Sequence, residues 1–465
     1  MTYARTAPRR RDPMAVALAA VTRIAGSPLL DRYRLRPRAE RTAFHLTRTG
    51  MRSAAAVSRT FAAAGGAGRA AIGSPQRQGG ARPADLIDLD PTPDQQLILD
   101  VVRDVAQHQL RPAADAADRA GRTPDDLLAT VVELGVLQLG VPESLGGFSP
   151  ERSSLTGVLV TEALAQGDLG LAVGCLAPGA VATALALWGD GEQQAAYLPA
   201  LTGANLPRAA LAIVEPRAVF DPFRLATTAR VAPDGGYLLD GVKSLVPAAG
   251  RAELFVVAAD LDGRPTLFVI ESGTPGLTVS PEPAMGLRAA ETGRLHLDGV
   301  HLPRSARLGT GRDGAGSGQP SDDPGGGASD PYPECIRLSR IAWCALAVGT
   351  AQAVVDYVIP YVNSREAFGE PVSHRQGVAF PVADMATELA GMRLATYRAA
   401  SRAEQGLDYR REAALARRLC AEHGMAIGSD GVQLLGGHGF VREHPVERWY
   451  RDLRAVAVME GVVLA

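Results

Sequence analysis

Residues 429–461 read Ser429-Asp-Gly-Val-Gln-Leu-Leu-Gly-Gly-His-Gly-Phe-Val-Arg-Glu-His-Pro-Val-Glu-Arg-Trp-Tyr-Arg-Asp-Leu-Arg-Ala-Val-Ala-Val-Met-Glu460-Gly461. The stretch starts as a helix, breaks at a glycine cluster and restarts as a second helix. That helix is expected to run to Glu460, with the helix-breaking Gly461 behind it. A lone carboxylate among apolar neighbours is suited to act as a base, because burial raises a carboxylate's affinity for protons. It also reads as no more than the last polar residue of a helix.

The chain has 465 residues, 46% of them hydrophobic, enough for a large core and two or three domains. No run of about eighteen uncharged apolar residues is read in it, so no transmembrane helix is expected. Cys175, Cys335, Cys344 and Cys420 are scattered without CxxC spacing. That argues against a disulfide framework or a metal site and for a reducing, cytoplasmic location. The net charge of −2 hides an asymmetry: residues 1–82 carry 16 arginines against Asp12, Asp31 and Glu40, a net of +13. Lys243 is the only lysine, and the excess of arginine, alanine and glycine is what a GC-rich genome writes.

Residues 1–87 read as a basic flexible arm. Its arginine-rich, acid-poor composition resembles a transit peptide. It equally suits a solvated tail, or a patch for anionic lipid or an acidic partner that would bring peripheral membrane contact. No nucleic-acid motif accompanies the charge. Residues 88–208 read as a helical domain. A first helix runs from Pro91 with Leu97, Val101, Val105 and Leu110 at helical spacing and is closed by Pro112. Further helices are expected near 124–134, 151–166, 178–188 and 190–199. From 209 to 308 about seven short β-prone runs alternate with turn signals such as Pro-Asp-Gly-Gly (233–236) and Asp-Gly-Arg-Pro (262–265), predicting a small antiparallel β domain. Residues 309–332 are a Gly-rich flexible linker. In 333–465 an apolar seam through Ile341, Cys344, Val348, Ala351, Val355, Val358 and Val362 opens a four-helix bundle.

Several motifs occur in order in the bundle: Ser364-Arg-Glu-Ala-Phe-Gly-Glu-Pro-Val, Arg375-Gln-Gly-Val-Ala-Phe-Pro, Val432-Gln-Leu-Leu-Gly-Gly-His-Gly-Phe, Pro445-Val-Glu-Arg-Trp-Tyr-Arg-Asp and Met459-Glu-Gly. Ile213-Val-Glu-Pro, Gly241-Val-Lys-Ser and Met285-Gly-Leu-Arg precede them. With the mainly α order of helical domain, β domain and bundle, residues 90–461 resemble the acyl-CoA dehydrogenase family of flavoproteins. The resemblance implies an oxidoreductase of fatty acid metabolism that removes the α-proton and β-hydride of an acyl-CoA or acyl-carrier-protein thioester. FAD would accept the hydride and electron-transfer flavoprotein would take the electrons. It further implies a homodimer or homotetramer.

Residue by residue, the resemblance makes Glu460 the base. The other position used in the family is Ser339 here, which cannot serve. Glu443 and Glu447 match structural positions. Arg340 falls near the substrate channel. Arg365 and Phe368 match residues holding the FAD diphosphate and adenine, with Gln376 nearby. Gln433, Gly436 and Gly437 match a segment reaching the FAD of a neighbouring subunit. The chain departs from the pattern around the flavin ring, where Val214, Val219, Phe220, Leu245, Pro247 and Val462 replace hydroxyl, glycine or aromatic positions. That leaves Val214 and Pro247 to contact the ring through backbone. The alternative function is a catalytically impaired partner subunit of a hetero-oligomeric dehydrogenase.

Overall fold

The computed structural model describes residues 91–147, 149–309 and 331–465. The arm expectation and the linker over 310–330 lie outside the described residues, but the helix of the last domain already begins at Pro331, so the expected linker ends short of 332. Two units are distinguished, residues 1–98, of which 91–98 are described, and Leu99–Ala465. The elements below belong to the second unit, apart from the start of α1.

The helical domain comprises α1 (Pro93–Val105), α2 (Arg111–Ala120), α3 (Asp125–Glu133), α4 (Ser154–Gly167), α5 (Leu169–Trp188) and α6 (Gly191–Leu201). Pro112 does not close the first helix. A π turn over Ala106–Leu110 widens the backbone, and Pro112 falls in the first turn of α2, where its missing N–H is no loss. Nor does α5 begin at Pro178. Asp168 caps it by accepting the Leu171 N–H at 3.0 Å, and Pro178 lies inside. The helix is buried on almost every side, so packing outweighs the bond that proline removes. Its 20 residues are uncharged, with a mean hydropathy of 1.9, contrary to the expectation that no such run exists. It is long and apolar enough to span a membrane, but 89% of its most apolar 18-residue window is buried within the protein.

Strands β1 (Ala209–Ala212), β2 (Thr228–Val231), β3 (Tyr237–Val246), β4 (Leu254–Leu261), β5 (Arg264–Glu271), β6 (Leu277–Pro281) and β7 (Gly293–Leu302) form one sheet. Four pairings are antiparallel, but β4 runs parallel to both β1 and β2, so the sheet is mixed. The β4–β5 hairpin turns on Asp262 and Gly263, both at positive φ, as a two-residue turn between twisted strands requires. Tyr237 and Phe268 meet edge to face in the core at 5.1 Å. Near its end β3 shifts register against β7 between Lys243 and Val246. The shift lets the consecutive Lys243 and Ser244 both be buried.

The C-terminal domain contains α7 (Pro331–Ser364), α8 (Gln376–Glu404), α9 (Arg410–Leu434) and α10 (Val446–Leu453). The predicted seam of α7 is buried throughout. The last helix is shorter than expected: α10 ends at Leu453 and a 3-10 turn covers Arg454–Ala457, so Glu460 is not helical. The α4 helix joins the bundle: Glu162 accepts from Arg393 Nε and Tyr397 Oη of α8, each at 2.9 Å.

Three contacts pin α10 to the other domains. Arg448 Nε donates to Asp168 at 2.8 Å, and Arg451 grips Asp118 of α2 with two bonds of 3.0 and 3.1 Å. Asp452 accepts the Leu287 N–H of the β domain at 2.7 Å. Burial, and then the charge of Asp168, push the Asp452 carboxyl up to about 8. Between about pH 4 and 8 the folded chain keeps a proton there that the unfolded chain has lost, so this group's contribution to stability falls as pH rises. Asp452→Asn should therefore gain stability relative to the unsubstituted protein between pH 5 and pH 8, read from urea midpoints. A difference that stays constant between the two pH values would contradict this.

Candidate active site

Glu460 is fixed through the residue after it. Gly461 turns the chain at φ +74°, and a Cβ built there would lie 2.3 Å from Ile213 Cγ1. Only glycine lets this turn sit against the end of β1. The Gly461 carbonyl accepts hydrogen bonds from two residues of α7, Ser339 Oγ at 2.7 Å and Trp343 Nε1 at 2.9 Å. Between those two in sequence, Arg340 reaches the carboxylate. Its Nε lies 3.0 Å from Oε1 and 3.1 Å from Oε2, and its Nη2 lies 2.8 Å from Oε1. Arg417 of α9 stands 3.8 Å from Oε1 and donates to the Met459 carbonyl at 2.5 Å. Burial draws its guanidinium below the usual range while the Glu460 charge acts the other way. Glu460 is itself buried, and taking a carboxylate out of water is costly without such partners.

A second buried ion pair secures the adjoining loop. Lys243 Nζ is 2.9 Å from Glu215 Oε1 and donates to the Ile213 carbonyl at 3.2 Å. Glu215 also accepts the N–H groups of Ala226 and Thr227 at 2.7 and 2.8 Å, closing residues 216–225 into a loop. Burial pulls Lys243 down to about 8 against the attraction of Glu215. Burial pushes Glu215 up, but Lys243 and the two amides outweigh it and hold the carboxyl below its ordinary value. Arg217 braces the loop by donating to the Arg224 carbonyl at 2.6 Å. Tyr332 of α7 docks it by donating to the Pro222 carbonyl at 2.6 Å. The Phe223 ring meets Tyr332 edge-on at 6.3 Å and lies 5.9 Å from the Arg340 guanidinium. The loop therefore rests beside the Arg340–Glu460 pair. Val219, at its tip, is fully exposed at φ +53°, a strained conformation for a β-branched residue.

The predicted residues fall into two groups. Glu460 and Arg340 meet directly, and Val214 follows the Ile213 that receives Gly461; its carbonyl accepts the Ser244 N–H at 2.8 Å. Pro247, buried, follows β3. Arg365, Phe368 and Gln376 lie on the turn from α7 into α8, all exposed, with the Arg375 guanidinium 5.2 Å from the Phe368 ring. Gln433, Gly436 and Gly437 are exposed at the end of α9, and no atom comes within 4 Å of a Cβ built on either glycine. Tyr361 joins these two turns: its carbonyl accepts the Arg365 N–H at 2.9 Å and its hydroxyl meets His438 Nδ1 at 2.7 Å. From Arg340 to Ser364 the α7 helix spans roughly 36 Å at 1.5 Å per residue, so the second group stands far from Glu460 of the same chain. Glu447, one of the two carboxylates matched to structural positions, is paired with Arg451 at 2.7 Å.

Sequence reading missed Ser339 as an anchor, and it missed Trp343, Tyr332 and Arg417. The pairing of Lys243 with Glu215 carried one signal, since a single lysine among 48 basic residues marks a place where arginine does not fit. Lys243→Met would leave Glu215 buried and unpaired, costing about 3–5 kcal/mol in denaturant unfolding. Lys243→Met combined with Glu215→Leu should recover most of that. A single variant within about 1 kcal/mol of the parent would contradict the pairing argument.

Family models for the acyl-CoA dehydrogenase N-terminal, middle and C-terminal domains match residues 92–204, 210–300 and 333–462. The chain is 30% identical over 378 residues to an acyl-CoA dehydrogenase of Bacillus subtilis strain 168, covering 80% of this chain and 95% of that one. Among solved structures, butyryl-CoA dehydrogenase from Megasphaera elsdenii superposes with a TM-score of 0.70 at 28% identity, covering 81% of this chain and 96% of that one. The FAD complex of PigA superposes with a TM-score of 0.71 at 25% identity, covering 81% and 96%.

Proposed function

Because the chain belongs to the acyl-CoA dehydrogenase family, we propose that it is an oxidoreductase acting on CH–CH bonds, with Glu460 removing the α-proton of an acyl-CoA thioester. The observation that carries this reading is the placement of Glu460. It is buried, fixed through Gly461 by Ser339 and Trp343, and supplied with counter-charge by Arg340 and Arg417. Removing a weakly acidic α-proton calls for a positioned carboxylate in a site from which water is excluded. The braced loop of residues 216–225 supplies cover, and Lys243 with Glu215 holds its base.

FAD is the expected cofactor, and when bound it supplies an acceptor for the β-hydride. The residues present fit it in two portions. Arg365 offers an exposed guanidinium for the diphosphate, Phe368 an exposed ring for the adenine, and Gln376, Gln433, Gly436 and Gly437 an open approach. Val214 and Pro247 can contribute backbone at the Glu460 end. The two portions lie roughly 36 Å apart along α7, so one FAD would draw them from two copies, which favours a homodimer or homotetramer. Arg340 stands on the substrate side. An acyl-carrier-protein thioester is the second substrate class, and electron-transfer flavoprotein is the proposed electron acceptor. A cytoplasmic location, with residues 1–82 touching anionic lipid, completes the proposal.

The test is spectroscopic. Purified protein should carry the visible flavin band, and an acyl-CoA added without oxygen should bleach it. Glu460→Gln should keep FAD and slow bleaching by about 10²–10⁴-fold, the usual worth of a general base. Protein that takes up no FAD would point instead to the partner-subunit role. Full-rate bleaching by Glu460→Gln would remove the proposed base.

A further inference from the structure

We infer that His438 and Tyr361 are positioning residues for the cofactor: the hydrogen bond between them sets the spacing of the two exposed turns that would take the adenine nucleotide half of FAD. This rests on the cofactor reading proposed above. One turn is the hairpin at Phe368 and Gly369, between the short paired strands Glu366–Ala367 and Glu370–Pro371. The other is the 3-10 turn Gly436–Phe440 after α9. The hairpin is held by its own backbone. Phe368 and Gly369 take φ of +58° and +85°, as a two-residue turn requires, and the Val372 N–H donates to the Arg365 carbonyl at 2.8 Å. The glycine turn is built differently. Of Gly436, Gly437, His438 and Gly439 only the histidine has a side chain, and glycine loses more freedom on ordering than any other residue. Gly439 is packed, since a Cβ there would lie 2.1 Å from the Val432 carbonyl oxygen, but no atom comes near a Cβ at Gly436 or Gly437. His438 therefore supplies the one side chain by which the open part of the turn can be held.

That side chain is rooted in the fold. His438 Nδ1 meets the Tyr361 hydroxyl at 2.7 Å, and the same hydroxyl donates to the Leu435 carbonyl at 3.4 Å. The His438 ring stacks on His444 at 5.4 Å, and His444 Nδ1 meets the Tyr357 hydroxyl at 2.7 Å. Tyr357 in turn stands edge-on to the buried Trp449 of α10 at 5.8 Å. An exposed turn is thus tied ring by ring to a buried helix. Tyr361 also serves the hairpin, because its carbonyl accepts the Arg365 N–H at 2.9 Å. One residue therefore fixes the arginine proposed for the diphosphate through its backbone and the glycine turn through its side chain. Without the His438 bond both turns keep their anchors on α7 and α9, but the distance between them is free to vary. A ligand that bridges them must then order them as it binds, which lowers its affinity.

The experiment titrates the full-length protein, stripped of flavin, with FAD in a calorimeter. His438→Ala should weaken FAD about 3- to 10-fold, the net worth of one hydrogen bond. His438→Asn should stay within about twofold of the parent, because its amide sets a polar atom as many bonds from the backbone as Nδ1. Tyr361→Phe should weaken FAD by a similar factor, and adding His438→Ala to it should bring no further loss. The visible band of bound flavin should keep its position in His438→Ala, since the ring end rests on other residues. His438→Ala that binds FAD like the parent, His438→Asn as weak as His438→Ala, a shifted flavin band, or losses that multiply in the double variant would each overturn the inference. His438 is exposed, so if Tyr361→Phe does not fold, the comparison of alanine with asparagine at 438 decides alone. An unsubstituted protein that takes up no FAD would overturn the cofactor reading together with this inference, whereas a parent that binds FAD and is indifferent to every His438 variant would overturn this inference only.

Discussion

A carboxylate buried among apolar side chains must be neutralised or paired, and at Glu460 the pairing organises everything near it. Arg340 occupies both oxygens, Arg417 stands close to one of them, and neither arginine comes from the segment that carries the glutamate. The segment is held instead by its backbone. Gly461 offers its carbonyl to Ser339 and Trp343 and its bare α-carbon to Ile213. One turn of α7 therefore supplies two anchors and a counter-charge, while β1 supplies the wall. A side chain at 461 would push against that wall and displace the carboxylate from its arginine.

The wider architecture serves the same placement. The α10 helix delivers the chain to Glu460, and it is tied to the helical domain through Asp118 and Asp168 and to the β domain through Leu287. The two arginine–aspartate pairs are buried or nearly so, where charge-assisted contacts count for most and where breaking one side of a pair is costly. The loop of residues 216–225 is built in a similar way, with Lys243 and Glu215 at its base and Tyr332 at its crest. All three domains thus help to fix the segment that carries Glu460 and the loop beside it.

Much of this was legible in the sequence. The glycine break and the order of helical domain, strands and bundle follow from local pattern, and the motifs carried the family, but Glu460, a lone carboxylate in the sequence, is paired in the fold with Arg340 and Arg417. Legibility failed where tertiary packing overrode local signals. Pro112 and Pro178 looked like helix ends, yet a π turn accommodates the first and complete burial tolerates the second. The parallel contacts of β4 could not be read because pairing across the sheet leaves no mark on a single strand. Ser339 and Trp343 lie about 120 positions from Gly461, and their role is a hydrogen bond to backbone, which no side-chain motif records. Arg417 was indistinguishable among so many arginines, whereas Lys243 was marked by being alone.

The claim on which the account turns is that Glu460 exchanges a proton with the α-carbon of a bound thioester. It can be measured directly, without an electron acceptor, by incubating the FAD-loaded protein with an acyl-CoA in heavy water and following deuterium at the α-carbon by mass spectrometry. The account predicts incorporation by the unsubstituted protein and none above background by Glu460→Gln. Incorporation that is undiminished by the substitution would contradict it.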